Sequence, residues 1–96
     1  MGRENKAHTA TANRIARRYG AHYNHGDGID IQCDRFAIEV ETTATILEGI
    51  VRLELCPCPV YVAVTNREAV SEALRLTTGK RVGVMDPQGN IVKQAE

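Results

Sequence analysis

The segment from residue 28 to residue 41 constrains the fold most strongly, because it has the pattern of two short strands that pair with each other. Apolar side chains recur at every second position in both halves, which is the spacing of a β-strand with one buried face. A two-residue turn at positions 34 and 35 would place Gln32 opposite Ala37 and Ile31 opposite Ile38. The segment therefore predicts a hairpin with one apolar face and one face that carries carboxylates.

Three acidic residues share the polar face of this predicted hairpin. Asp30 falls opposite Glu39, and Glu41 follows two positions later on the same side. Like charges directly across a pair of strands destabilise it, so such a face needs either open water or a cation. Two hypotheses remain open at this point: the solvated face of an amphipathic hairpin, or a metal site.

Length and composition predict one domain over residues 1–96, with residues 1–4 disordered. The chain has 96 residues, of which 43% are hydrophobic, enough for one modest core and too few for two. No apolar run approaches the roughly 18 residues that span a bilayer, and the basic N-terminus lacks the apolar stretch of a signal peptide. We expect a cytoplasmic protein, which at this size often gains stability as a homodimer.

The formal net charge is zero, but the charges are unevenly distributed. Residues 1–25 are basic and include Arg14, Arg17 and Arg18, whereas residues 26–55 are strongly acidic. Such a distribution suits an enzyme that cleaves phosphodiester bonds, because cations hold the backbone while carboxylates hold a metal. A solvated basic helix face explains the arginines equally well.

The order of predicted elements indicates an α/β fold with a mixed sheet flanked by helices. An apolar stripe at helical spacing predicts a helix over residues 5–19, and a short strand over residues 21–24 precedes the hairpin. A helix follows to about residue 55, and a β-branched run over residues 60–65 predicts a strand buried on both faces. A third helix and a terminal hairpin complete the order αβββαβ followed by α and a β-hairpin.

This order, with Gly28-Ile29-Asp30-Ile31 followed by residues 37–41, resembles the PD-(D/E)XK nuclease superfamily. Among its small members the chain looks most like the archaeal-type Holliday junction resolvases. The resemblance covers roughly residues 5–65 and implies a restriction-endonuclease-like fold. It also implies a metal-dependent DNA endonuclease acting on duplex or branched DNA.

Carried onto this sequence, the resemblance assigns the metal site to Asp30, Glu39 and Val40. Asp30 would be the metal-binding aspartate of the motif and Glu39 its glutamate, and the backbone carbonyl of Val40 would complete the shell of Mg²⁺ or Mn²⁺. Glu41 stands where the family usually has lysine. It would therefore act as a general base or metal ligand, and it cannot supply the positive charge of lysine.

The resemblance also implies a nucleic-acid interface. Arg14, Arg17 and Arg18 would hold the phosphate backbone, Arg52 would face the site from the following helix, and Glu4 would be the acidic residue of the first helix. The missing lysine supports an alternative, which is a catalytically inactive protein of this fold that binds nucleic acid or another protein.

Two further groups of residues carry weaker hypotheses. His22, His25 and Asp27 would form a second metal site, although an irregular loop of this kind is more often plain surface. The cysteines of Cys56-Pro57-Cys58 are too close together for an ordinary disulfide bridge. We expect reduced thiols with a structural or incidental role.

Overall fold

The computed structural model describes residues 6–26 and 28–96, and it is an α/β fold with a five-stranded mixed sheet and three helices. The expectations for residues 1–4 and for Asp27 lie outside the described residues. The elements in chain order are α1 (Lys6–Arg18), β1 (Ile31–Gln32), β2 (Ala37–Glu41), a 3₁₀ turn (Thr43–Thr45), α2 (Ile46–Leu53), β3 (Val60–Val64), α3 (Ala69–Leu76), β4 (Gly83–Met85) and β5 (Ile91–Lys93).

The sheet has the strand order β1-β2-β3-β4-β5, with a parallel centre and antiparallel edges. The pairs of the predicted hairpin are confirmed, since Ile31 lies opposite Ile38 and Gln32 opposite Ala37. The three central strands run parallel because α2 connects β2 to β3 and α3 connects β3 to β4. The strand predicted over residues 21–24 is reduced to one bridge between Tyr23 and Ile31.

Helices cover both faces of the sheet. Helix α1 packs on one face against a cluster that includes Ile38 and Val40. Helices α2 and α3 pack on the other face against Val62, Val64 and Val84. Strands β2 and β3 are consequently buried at every position, as the β-branched run of β3 predicts. The alternating pattern of the hairpin predicts Ile29 on the same face as Ile31 and Ile38, but Ile29 contacts the cluster under α2 and α3 instead.

The helix boundaries follow local signals in the sequence. Gly20 lies in the left-handed region with a φ of 68° directly after α1. The side chain of Asn66 accepts a hydrogen bond from the backbone of Ala69 at 2.9 Å and so stabilises the start of α3. In the part of the chain that the structure describes, every helix is too short or too polar to cross a membrane.

Candidate metal centre

The carboxylates of Asp30, Glu39 and Glu41 converge at the end of the hairpin beside α2. Each side chain offers one oxygen, and these three oxygens lie within 4.8 Å of one another. Asp30 directly precedes β1, while the two glutamates lie on the same face of β2 because they are two residues apart. The acid cluster predicted from the alternating pattern is therefore formed in the folded chain.

Burial distinguishes between the two hypotheses for this face. Glu39 is 3% exposed and Glu41 is 4% exposed, so the solvated-hairpin interpretation is wrong for both residues. The reason is that α2 crosses this face of β2 on its way to β3. Asp30, at the rim, is partly buried.

Gly49 allows α2 to approach Glu41 closely. A Cβ atom on Gly49 would lie 2.5 Å from Oε2 of Glu41 and 2.6 Å from its Cγ, which real contacts do not tolerate. A glycine inside a helix weakens it by about 1 kcal/mol relative to alanine, and here it permits this close packing. The helix consequently confines the Glu41 carboxylate beside Glu39.

One backbone hydrogen bond and one contact with a histidine orient the Asp30 carboxylate. Its Oδ2 accepts a hydrogen bond from the backbone nitrogen of Val40 at 2.9 Å and lies 3.5 Å from Nε2 of His8. In an extended strand the N–H and C=O of one residue point to the same side. The Val40 carbonyl therefore faces the side on which Asp30 lies, and Val40 lines the cleft above the acids.

His8 is a site residue that the sequence analysis missed. Its Nδ1 lies 3.1 Å from the hydroxyl of Tyr23, so the ring spans the distance between Tyr23 and Asp30. The available signal was helical spacing, because His8 precedes the buried Ala12 and Ile15 by four and seven positions. A histidine on the apolar stripe of α1 faces the sheet, and here it reaches the acid cluster.

Arg52 supplies positive charge to the two glutamates. Its Nη2 donates to Oε2 of Glu41 at 2.9 Å and to Oε1 of Glu39 at 3.2 Å, while its side chain remains 53% exposed. The second oxygen of Glu39, Oε2, is buried without a hydrogen-bond partner. Arg52 therefore satisfies the acid cluster only in part.

The electrostatics of the cluster favour protonation in the absence of a stronger cation. Burial, together with the nearby Asp30 carboxylate, raises the pKa of Glu39 to about 8, and Arg52 limits this rise. Burial also raises the pKa of Glu41, against the hydrogen bond from Thr45 and the charge of Arg52. A buried carboxylate with an unmet oxygen is an unfavourable group, which a bound cation would stabilise.

A cleft of about 660 Å³ lies over the cluster. Its lining includes all three acids together with His8, Thr45, Glu48 and Arg52. Hard divalent cations prefer oxygen ligands, and Mg²⁺ usually takes one or two carboxylates and keeps several waters. Three carboxylates, one unmet oxygen and an open cleft fit such an ion.

The arginines of α1 do not line this cleft. Arg14 donates two hydrogen bonds to the carbonyl of Pro87, at 3.0 and 3.1 Å, and Arg18 bonds to the carbonyl of Gln88 and the side chain of Asn90. Arg17 is exposed on the same helix. Two of the three arginines thus connect α1 to the turn between β4 and β5.

Neither histidine of the predicted second metal site is among the converging ligands of the acid cluster. His22 is exposed and lines a separate cleft, and the ring of His25 lies 4.2 Å from that of Tyr23. Among residues 6–26 and 28–96, Asp30, Glu39 and Glu41 are the group whose ligand atoms converge as a metal requires. Cys33, Cys56 and Cys58 are free thiols, as expected.

Comparison with known proteins adds no relative: no family model matches the chain, and neither a curated protein nor a solved structure matches it significantly.

Proposed function

We propose that this protein is a metal-dependent DNA endonuclease that hydrolyses phosphodiester bonds. The observation that supports this most strongly is the unpartnered Oε2 of Glu39, buried within a convergent group of three carboxylates. Helices on both faces of a mixed sheet are consistent with the restriction-endonuclease-like arrangement. We include that arrangement in the proposal.

In this proposal Asp30 and Glu39 hold Mg²⁺ or Mn²⁺, and the Val40 carbonyl completes the protein ligands. The ion would supply an activated water and stabilise the negative charge that develops on the phosphate. Glu41 lies close enough to provide a further ligand or to accept a proton from the attacking water. His8 keeps the Asp30 carboxylate oriented through its contact with Oδ2.

Arginine side chains would bind the DNA backbone. Arg52 lines the cleft and is half exposed, so it is the permanently charged group nearest the acids. Arg17 is exposed on α1, whereas Arg14 and Arg18 are already bonded to the neighbouring turn. We therefore expect Arg52 to contribute more to phosphate binding than Arg14 or Arg18.

We also propose that two copies pair through the outer face of α2 and the turn that follows it. Leu47, Val51 and Leu55 are 56%, 54% and 84% exposed and recur every four residues, so they form an apolar stripe. Antiparallel packing about a two-fold axis at Val51 would bring Leu47 against Leu55 of the partner subunit.

A second function has one observation in its favour. Arg52 already neutralises part of the charge on Glu39 and Glu41, so the cluster contains an internal cation in the absence of a metal. A catalytically inactive protein of this fold, which binds nucleic acid or a partner protein, would retain such an internal ion pair. Metal binding separates this alternative from the endonuclease.

The test compares Glu39→Gln with the wild-type protein. We expect wild-type protein to bind Mn²⁺ in a calorimetric titration and to cleave duplex or branched DNA when Mg²⁺ is present. Glu39→Gln should lose both properties, because a neutral amide is a much poorer ligand than a carboxylate. Glu48→Gln is the matched control, since Glu48 lines the same cleft but is exposed on α2 and lies outside the convergent group.

The outcomes are distinct. If wild-type protein binds no Mn²⁺ at millimolar concentration and cleaves no DNA substrate, duplex, branched or single-stranded, the inactive alternative is correct. If Glu39→Gln cleaves DNA as well as the wild type does, the metal assignment is wrong.

A further inference from the structure

Arg52 is bonded to two buried carboxylates, although its own side chain is half exposed. One terminal nitrogen makes both contacts to Glu39 and Glu41, whereas the side chain as a whole is 53% exposed. A guanidinium group has five N–H donors, so three of them, on Nε and Nη1, take no part in these two bonds. The group is anchored to the acids at one end and open to the cleft at the other.

The backbone beneath Arg52 is fixed, whereas its side chain is half exposed to the cleft. Gly49, Ile50 and Leu53 are buried and hold α2 against the sheet. The contact of Gly49 with Glu41 leaves the helix no room to shift inward. Because the backbone is held in place, an exchange of the cation at the acids requires rotation of the half-exposed arginine side chain.

A divalent cation and the guanidinium group compete for the same two carboxylates. An ion bound by Glu39 and Glu41 would neutralise both carboxylates and repel the positive charge of Arg52. A guanidinium group released into the cleft would meet a phosphate with its planar pair of donors, for which it is well suited. The divalent cation would then neutralise the acids in place of Arg52, and Arg52 would be available to bind phosphate.

From this geometry we propose that Arg52 is an exchangeable counter-ion: it pairs with Glu39 and Glu41 in the metal-free protein and binds a backbone phosphate of DNA once a divalent cation is in place. This inference rests on the proposed function, since it requires a cation at the acid cluster. It adds a metal-dependent order of binding, in which the cation precedes productive contact with DNA.

The first experiment follows the Arg52 side chain by NMR in ¹⁵N-labelled full-length protein during a Mg²⁺ titration. We expect the Arg52 Nε–H signal to shift as Mg²⁺ binds, while that of Arg75 stays unchanged. Arg75 is the control because it pairs with Glu72 on the surface of α3. An unchanged Arg52 signal at saturating Mg²⁺ would overturn the exchange.

The second experiment measures DNA affinity by fluorescence anisotropy for wild type, Arg52→Gln and Arg52→Lys, with and without Mg²⁺. Arg52→Gln should lose about tenfold in affinity for a short duplex when Mg²⁺ is present, since a charge-assisted hydrogen bond is lost. It should change affinity less than about twofold without Mg²⁺, when Arg52 is held by the glutamates. Arg52→Lys keeps the charge and should lose less, and Arg75→Gln should lose nothing.

An equal loss with and without Mg²⁺ would show that Arg52 always contacts DNA, and no loss in either condition would show that it never does. Both results refute the exchange while leaving the metal site intact. If calorimetry detects no binding of Mg²⁺ or Mn²⁺ to the wild type, the proposed function fails and the exchange fails with it.

Discussion

The replacement Glu39→Gln makes a quantitative prediction about stability, because it removes one buried ionisable group and keeps its shape. In the folded chain the pKa of Glu39 is about 8, against an ordinary value of 4.5. Between these two values the folded state binds more protons than the unfolded state. The free energy of unfolding of the metal-free protein should therefore fall as the pH rises through this interval.

The magnitude follows from the size of the interval. At about 1.36 kcal/mol for each pH unit, the roughly 3.5 pH units between 4.5 and about 8 correspond to on the order of 5 kcal/mol. This contribution is fully present below pH 4.5 and is lost as the pH rises through about 8. Since small domains are held by roughly 5–15 kcal/mol, such a loss is readily measured.

Urea unfolding in the presence of EDTA, at intervals from about pH 5 to about pH 9, measures the effect. The difference between wild type and Glu39→Gln reports the titration of Glu39 together with its effect on the adjacent Glu41. The glutamine variant should gain stability relative to wild type as the pH rises. Glu48→Gln, which changes an exposed residue, should show the same dependence of the free energy of unfolding on pH as the wild type. If the profiles of wild type and Glu39→Gln run parallel over the whole range, the burial argument is refuted.

Three further substitutions test separate parts of the structure. Gly49→Ala should lower the free energy of unfolding, measured in urea, by about 1–3 kcal/mol, because the added Cβ would press on Glu41. This loss should outweigh the gain of about 1 kcal/mol that alanine brings to a helix. A gain in stability would contradict the close approach. His8→Gln should weaken Mn²⁺ binding by about 10- to 100-fold in calorimetry, since Asp30 loses an orienting contact, and unchanged affinity would remove His8 from the site. Val51→Asp should shift the protein toward monomer in sedimentation, whereas Val92→Asp on exposed β5 should not; a wild-type protein that sediments as a monomer would refute the pairing.

The hairpin register was predictable from the sequence because a period of two leaves little choice. Shifting the pairing by one residue would turn Ile31 and Ile38 toward the acids and the acids toward the core. The two-residue turn then fixes the pairs, and the structure has them as predicted. The same reasoning identified Asp30, Glu39 and Glu41 as one group before any fold was known.

The burial of that group could not be predicted from the alternating pattern. An acid on every second position is the usual mark of a solvated face, and it is the crossover through α2 that covers Glu39 and Glu41. Gly49 was the local sign of close packing, but it did not indicate which side chain it would contact. The role of His8 depended on the way α1 crosses the hairpin, which spacing along the helix does not determine.

Burial is also what makes the cluster informative about function. Were Glu39 and Glu41 solvated, three acids on one face would need no further explanation. Their burial raises the pKa of Glu39, and one oxygen of Glu39 has no hydrogen-bond partner. The metal-free fold is therefore less stable near neutral pH than it would be with a neutral residue at this position. Arg52 offsets part of this cost from a half-exposed position. A cation that binds all three carboxylates would offset the remainder, and for this reason we interpret the cluster as a binding site and not as a structural ion pair.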